Sequence, residues 1–308
     1  MDKKSINDAL QELDALDTPL KNRGMLDSLI DHAEIDITGS RNRRLTWLIA
    51  TTVATAKLQQ VIDEDGRALF LLKGGTMLQH RLGLETRASK DLDGLVRDDI
   101  DSFIVKLDEI LVENWGAISF ERSEVEKINV PSKRIKPRRF SLTLKINGKT
   151  WRNVPIEISP DEGRAGKYLE EFPAPNLAPF GIPTPDKLVS LSFAYQIAQK
   201  VHAASGLHEP PNYVNNRASD IVDLLLLKDL QESAGEPGNK EILEAIEDIF
   251  TVRFEEASSL NRKAQAWPCS IHALSHWESD YISAAKECSI ELPLNEAVDN
   301  VNSWLASL

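Results

Sequence analysis

The sequence predicts an α+β fold, with a mixed sheet in the N-terminal portion, helices before it and a helical C-terminal domain. Apolar residues recur at helical spacing around residues 45–53, before the short apolar run 68–75, which is typical of a buried strand that ends in a turn. Residues 139–146 alternate apolar and polar positions, as a half-buried strand does. Beyond residue 185 the periodicity is helical throughout. We therefore predict a domain boundary near residue 182, between domains 1–182 and 183–308.

The first domain begins with a helical segment, predicted from about residue 5 to residue 62. Its repeating apolar positions are Leu10, Leu13, Leu16, Leu45, Ile49 and Val53. After the apolar run, the spacing predicts a helix over 76–83, a strand over 90–96 and an amphipathic helix over 98–115. Three further strands are predicted over 118–125, 139–146 and 154–159, with a hairpin turn at Asn147 and Gly148.

Residues 163–185 are rich in proline and glycine, which favours a linker or a lid. The second domain then carries five predicted helices. They span residues 185–204, 217–232, 239–257, 273–287 and 294–307.

Composition sets the class of protein. The 308 residues are 42% hydrophobic and 27% charged, as in an ordinary soluble domain, and the net charge of -12 argues against general coating of nucleic acid or adhesion to an anionic membrane. Cys269 and Cys288 lack the spacing of a zinc site and are expected to be free thiols. The first twenty residues have no signal-peptide pattern, and no apolar run is long enough to span a bilayer. We expect a cytoplasmic monomer without membrane contact.

Asp91 and Asp93 are separated by a single leucine in a predicted strand, so their carboxylates would point to the same face. Adjacent carboxylates repel each other unless a cation lies between them. Magnesium prefers oxygen ligands and often shares its coordination shell with phosphates. The pair therefore indicates a magnesium site.

Gly74, Gly75 and Thr76 precede this pair, at the junction of a predicted strand and a predicted helix. The glycines allow a ligand to approach the backbone, and the helix N-terminus favours an anion. Lys73 comes before the glycines, so the spacing is not that of a P-loop. A phosphate-binding turn followed by metal-binding acids is the arrangement that nucleotidyl transfer requires.

The same residues resemble a known family. The stretches "LKGGTML" and "RASKDLDG" are similar to those of AbiEii/AbiGii-type nucleotidyltransferase toxins, which include MenT-like enzymes, in the DNA polymerase β-like nucleotidyltransferase superfamily. The stretches 186–204 and 215–227 resemble the second half of that family, where a helix with a lysine precedes an Arg-x-x-Asp-x-x-Asp-Leu helix. The resemblance covers about residues 65–230.

The resemblance implies a mixed-sheet nucleotidyltransferase core that uses Mg²⁺ and an NTP. It also implies an RNA acceptor, the tRNA 3′ end in some members, and a cognate antitoxin in a toxin–antitoxin or phage-defence system. Gly74, Gly75 and Thr76 match the phosphate-side turn, and Asp91 and Asp93 match the metal carboxylates. The third carboxylate would come from a later strand as Glu157, where an aspartate is commoner. Lys200 matches the lysine that reaches the triphosphate.

Several of these residues have more than one interpretation. Lys73 is either a phosphate contact or a charge at the end of a strand. Arg87 and Ser89 alternate with Asp91 and would meet the triphosphate, although Ser89 is equally suited to a turn. Asp220 and Asp223 lie on one helix face, and Asp220 either acts in the active site or pairs with Arg217.

Residues 122–152 form a basic segment, with ten lysines and arginines against Glu124 and Glu126. Such a segment is suited to an RNA backbone, or its charges protect a sheet edge from pairing. The predicted RNA contacts are Lys133, Arg134, Lys136, Arg138 and Arg139.

The resulting prediction is a magnesium-dependent nucleotidyltransferase toxin that acts on RNA, with Asp91, Asp93, Lys200 and Asp220 as its catalytic residues. Two alternatives remain open. One is an enzyme that modifies a small hydroxylated molecule, as antibiotic nucleotidyltransferases do, and the other is a non-catalytic NTP-binding interaction module.

Overall fold

The computed structural model describes residues 6–308, except the side chain of Glu85. Internal contacts divide the chain into two compact units, each built from separate stretches of sequence. The first unit contains Met1–Ile128, Pro137–Pro160 and Glu171–Ser190, and the second contains Asn129–Lys136, Asp161–Glu170 and Leu191–Leu308. The domain boundary near residue 182 stays a prediction.

Five helices of the first unit are α1 (Ile6–Gln11), α2 (Arg23–Thr38), α3 (Arg44–Leu58), α4 (Gly74–Leu82) and α5 (Ile100–Leu111). The helical prediction from residue 5 to 62 is confirmed for α2 and α3. It is wrong for Leu13 and Leu16, which lie in the connection between α1 and α2, and residue 5 lies outside the described part of the chain. The buried carboxylate of Glu34 caps α3, since it accepts hydrogen bonds from the backbone N–H groups of Arg43 and Leu45, both at 2.9 Å.

Eight strands within residues 6–308 form one mixed sheet. They are β1 (Phe70–Lys73), β2 (Leu92–Val96), β3 (Ile118–Arg122), β4 (Glu126–Lys127), β5 (Arg138–Ile146), β6 (Lys149–Pro160), β7 (Leu169–Phe172) and β8 (Leu188–Leu191). The order is β3-β5-β6-β2-β1-β8-β7, with β4 paired to β5. Strand β2 is parallel to β6 and β1 is parallel to β8, whereas β1 and β2 are antiparallel. The predicted mixed sheet is confirmed.

Two details of the sequence prediction were wrong. The stretch 185–204 is not one helix, because Leu188–Leu191 form the buried strand β8 and the helix begins only after Ser192, whose hydroxyl group caps it. The stretch 163–185 is not a plain linker, since it contains β7 and two 3-10 turns. Each strand has only four residues, which is too short for the sequence to show a distinct periodicity.

Five helices follow β8, in the part of the chain that was predicted to be helical. They are α6 (Phe193–Ala204), α7 (Ala218–Ala234), α8 (Asn239–Ser259), α9 (Glu278–Glu287) and α10 (Leu294–Leu305). Helix α6 packs against α7 and α8, and α7 also packs against α9 and α10. None of the helices within residues 6–308 has both the length and the apolar character needed to cross a bilayer.

Candidate active site

Four neighbouring strands of the first unit place one charged residue each in a row across the sheet. In the pairing register, Lys73 on β1 lies opposite Asp93 on β2, Asp93 lies opposite Glu157 on β6, and Glu157 lies opposite Arg139 on β5. Residues that face each other across paired strands share a face of the sheet. The row therefore sets two adjacent carboxylates between two cations.

Asp91 completes a group of three carboxylates. It immediately precedes β2, and it offers a ligand oxygen that lies with one oxygen each of Asp93 and Glu157 within 4.8 Å of one another. Burial raises the pKa of Asp91, and the charge of Glu157 raises it further, whereas Arg87 and Arg139 lower it. A divalent cation would relieve this repulsion, and three carboxylate oxygens are a donor set that Mg²⁺ accepts. The residues present therefore fit a hard divalent cation.

The glycine turn lies directly against the carboxylate of Asp93. Helix α4 starts at Gly74, directly after β1, and Gly74 has a left-handed φ of 71°. A Cβ on Gly74 would lie 2.5 Å from Oδ2 of Asp93, and a Cβ on Gly75 would lie 3.2 Å from Nη2 of Arg87. The glycines thus allow Asp93 and Arg87 to approach the start of the helix closely.

Two hydroxyl groups hold the backbone of Asp91 in place. The Thr76 hydroxyl donates a hydrogen bond of 2.7 Å to the Asp91 carbonyl oxygen, and the Ser89 hydroxyl donates one of 2.9 Å to the same atom. Thr76 is buried, and Ser89 is half-buried. These side chains position Asp91 here, and their predicted contact with the nucleotide stays a prediction.

The two cations at the ends of the row have partners that sequence reasoning missed. Lys73 donates a hydrogen bond of 2.7 Å from Nζ to Oγ of Ser159. Arg139 donates from Nε to Oε1 of Glu157 at 2.8 Å, and this bond, with the charge of Glu157, raises the pKa of Arg139 further. Arg139 was predicted only as an RNA contact, and its pairing with Glu157 depends on the strand register.

Three of the predicted RNA contacts belong to the second unit, in the segment Asn129–Lys136. The Lys133 ammonium pairs with the carboxylate of Glu162 and lies 3.2 Å from Oε2 of Glu256. The backbone N–H of Arg134 donates to Oε1 of Glu256 at 2.7 Å, while its side chain is exposed. Lys136 donates from Nζ to two backbone carbonyl oxygens of its own segment. Much of the positive charge counted in the sequence is therefore bonded within the protein.

The other two predicted contacts lie on β5. Arg138 is buried and donates to Oδ1 of Asp101 at 3.0 Å. The Arg139 side chain is 54% exposed although it is paired with Glu157. Among the five predicted RNA contacts, only Arg134 and Arg139 have exposed side chains.

Lys200, Asp220 and Asp223 form a buried cluster in the second unit. Nζ of Lys200 on α6 lies 2.9 Å from Oδ1 of Asp220 and 2.6 Å from Oδ2 of Asp223, both on α7. The three side chains are at most 9% exposed, and Arg217 lies 3.8 Å from Asp220. The ammonium therefore compensates two buried carboxylates. Its predicted contact with the triphosphate stays a prediction.

The comparison with protein families shows the family of this chain. The sequence profile described as "Nucleotidyl transferase AbiEii toxin, Type IV TA system" matches residues 57–304, which is most of the chain. The chain belongs to this family. It is therefore a nucleotidyltransferase toxin of a toxin–antitoxin (TA) system, and the AbiEii family implies an NTP substrate, a divalent metal and an antitoxin.

Nine chains of solved structures match this AbiEii protein. JHP933 from Helicobacter pylori has 13% identity and a TM-score of 0.40, and the match covers 85% of this chain and 92% of JHP933. MenT4, a nucleotidyltransferase toxin from Mycobacterium tuberculosis H37Rv, has 14% identity and a TM-score of 0.47, with 92% of this chain and 98% of MenT4 covered. The comparison with curated proteins found no match. Because both TM-scores are below 0.5, the assignment rests on the family profile.

Proposed function

We propose that this AbiEii-family enzyme uses Mg²⁺ to transfer a nucleoside monophosphate from an NTP to an RNA acceptor, and that the 3′ end of tRNA is the first acceptor to test. We further propose that it acts as a cytoplasmic monomer. The observation that carries the proposal is the group formed by Asp91, Asp93 and Glu157 beside the turn that starts α4. This arrangement combines metal ligands with a helix N-terminus.

Each part of the site has a role in this reaction. Asp91, Asp93 and Glu157 would hold the metal, which when bound neutralises charge on phosphate oxygens. The backbone N–H groups at Gly74 and Gly75, with the cations of Lys73 and Arg87, would bind the triphosphate. The acceptor hydroxyl then attacks the α-phosphorus, its proton passes to a carboxylate of the group, and pyrophosphate leaves.

Lys200 and Asp220 enter the proposal through the family resemblance. Lys200 would meet the negative charge of the departing pyrophosphate, and Asp220 would hold the ammonium in place. The bond of 2.9 Å between them supports the second of these roles.

The RNA acceptor is supported by the exposed cations of the basic segment. Arg134 and Arg139 are the contacts we propose first, because the other three predicted side chains are more buried. Each phosphate that such a cation contacts releases a counterion, so RNA binding should weaken as salt is added.

The decisive experiment incubates the protein with Mg²⁺, each α-labelled NTP in turn and total cellular RNA. We expect Asp91→Asn and Asp93→Asn to lower transfer by more than about a hundredfold. This exceeds the loss that is typical when a residue that only hydrogen-bonds to a metal ligand is replaced. The matched control is Glu109→Gln, an exposed acid on α5, which should retain wild-type transfer.

Binding of Mn²⁺, measured by electron paramagnetic resonance, should weaken in the same two variants. Wild-type labelling by either variant would contradict the metal site. Label that accumulates in a small hydroxylated compound and not in an RNA band would contradict the RNA acceptor and favour the small-molecule alternative.

A further inference from the structure

The segment Asp161–Glu170 of the second unit, which we call the Tyr168 loop, is held firmly at its aromatic residue. The backbone N–H of Tyr168 donates to the carbonyl oxygen of Ala165 at 3.1 Å. The carbonyl oxygen of Tyr168 accepts a hydrogen bond of 3.0 Å from the backbone N–H of Ser192. With both backbone polar groups bonded, the loop presents the Tyr168 side chain from a fixed position.

Asp248 on α8 joins the loop to α6. Its Oδ2 accepts hydrogen bonds from the Tyr195 hydroxyl at 2.9 Å and from the backbone N–H of Arg164 at 2.8 Å. The Arg164 side chain adds an ion pair, with Nε 3.4 Å from Oδ1 of Asp248. Gly163 has a φ of 60°, and a Cβ there would lie 2.4 Å from Oδ2 of Asp248. One carboxylate thus orders both the loop and the Tyr195 ring.

The rings of Tyr168 and Tyr195 stack on each other. Their centroids are 5.4 Å apart, and their planes differ by 25°. Tyr195 is only 3% exposed, whereas Tyr168 is 43% exposed. Burial, followed by the bond to Asp248, raises the pKa of the Tyr195 phenol, so the supporting ring stays neutral. An exposed ring on a rigid support loses little conformational entropy when it binds a ligand.

Two cations are exposed near the ring. Arg164 and Lys167 are exposed on the same loop as Tyr168, four residues and one residue before it, whereas the exposed acid of the loop, Asp161, lies at its start. An aromatic ring next to flanking cations is the combination with which proteins bind single-stranded RNA, because the ring stacks on a base while the cations meet the backbone. A paired base is already stacked within its helix and is not available to such a ring.

We propose that Tyr168 stacks on an unpaired base of the RNA acceptor, with Arg164 and Lys167 contacting the adjacent phosphates. The inference rests on the RNA acceptor of the proposed function, and it specifies a single-stranded acceptor end. It also assigns a binding role to a loop that follows β6, the strand that carries Glu157.

The test measures binding of a fluorescent single-stranded RNA oligomer to the full-length protein by anisotropy. Tyr168→Ala should weaken binding roughly tenfold, because one stacked base accounts for a loss of this size. Tyr168→Phe keeps the ring and should stay within about twofold of the wild type. The control is Tyr213→Ala, another exposed tyrosine of the second unit, and it should leave RNA affinity unchanged.

Tyr168→Leu separates stacking from packing. Leucine keeps apolar cover over Tyr195 without an aromatic face, so this variant should retain the thermal stability of the wild type and still bind RNA as weakly as Tyr168→Ala. The proposal would be overturned if Tyr168→Leu bound RNA with wild-type affinity, whether or not its NTP affinity were weakened.

The two proposals fail in different ways. If the wild type transfers label to RNA but Tyr168→Ala and Tyr168→Leu bind RNA normally, only the stacking role is wrong. If the wild type neither labels nor binds RNA, the proposed RNA acceptor and the stacking role of Tyr168 are both wrong.

Discussion

Gly74 illustrates, at the scale of a single residue, how the site constrains its own turn. The backbone is left-handed there, and the carboxylate of Asp93 occupies the space that a Cβ would take. Both features exclude other residues, but only the second concerns the three carboxylates that we propose as metal ligands. The two contributions can be separated, because Gly148 in the β5–β6 turn has a φ of 72° and open space within 4 Å of the position that a Cβ would take.

We therefore predict different outcomes for Gly74→Ala and Gly148→Ala. Each should lower the free energy of unfolding by about 1 to 2 kcal/mol through backbone strain. Only Gly74→Ala should also displace Asp93 and reduce transfer and Mn²⁺ affinity. Urea unfolding and transfer assays of both variants check this, and equal activity of the two would show that Asp93 tolerates the displacement.

At the scale of elements, helices α6 and α7 are joined by the buried Lys200, Asp220 and Asp223 cluster. Two carboxylates and one ammonium are almost fully removed from water. Removing one charged partner of such a cluster strongly lowers stability, because the remaining charges stay buried without compensation. Replacing all members with neutral residues is often tolerated.

Lys200→Met should lower the free energy of unfolding by about 3 to 5 kcal/mol. The triple variant Lys200→Met, Asp220→Asn, Asp223→Asn should recover most of that loss, since no buried charge remains. NTP affinity then decides the functional question. If Lys200 meets the triphosphate, the stable triple variant still binds NTP weakly, and wild-type NTP affinity would make the cluster purely structural.

At the scale of the whole molecule, each unit contains a neutral histidine, buried in the first unit and half-buried in the second. Burial lowers the pKa of His80 in the first unit to about 4, although its contact with the Thr76 carbonyl oxygen opposes the shift. Burial and the nearby Arg253 lower the pKa of His202 in the second unit to about 3, against the charge of Glu162. Both histidines take up a proton more readily in the unfolded chain.

Stability should therefore be fully present above pH 6.5 and fall as the pH decreases toward 4. Between pH 7 and pH 5, each histidine should cost its unit about 2 kcal/mol of unfolding free energy, because the unfolded state binds the extra proton. Urea unfolding across this range measures the slope. His80→Gln and His202→Gln should each reduce it, and His272→Gln, which replaces an exposed histidine, should leave it unchanged.

The sequence by itself determined the order of most elements and the local parts of the site. Residues that are close together in the sequence determine these features. They are the spacing of Asp91 and Asp93, the glycine turn, the Asn147–Gly148 hairpin and the long amphipathic helices. The AbiEii resemblance rested on such local motifs, and the family profile confirmed it. Strand β8 escaped prediction because a short buried strand and a buried helical turn have the same apolar pattern.

Only the tertiary structure decided how distant residues meet. Counted from the hairpin turn, where Ile146 faces Lys149, Arg139 would lie opposite Ile156. The register shifts by one residue between Leu144 and Lys145, so Arg139 instead faces Glu157. A register shift of one residue changes which side chains lie opposite each other in the rest of the strand pair. No local pattern in the sequence indicates such a shift. The stacking of Tyr168 on Tyr195 was likewise decided by the tertiary structure, because Asp248 on α8 accepts hydrogen bonds from both chain segments and the Ser192 N–H donates to the Tyr168 carbonyl oxygen.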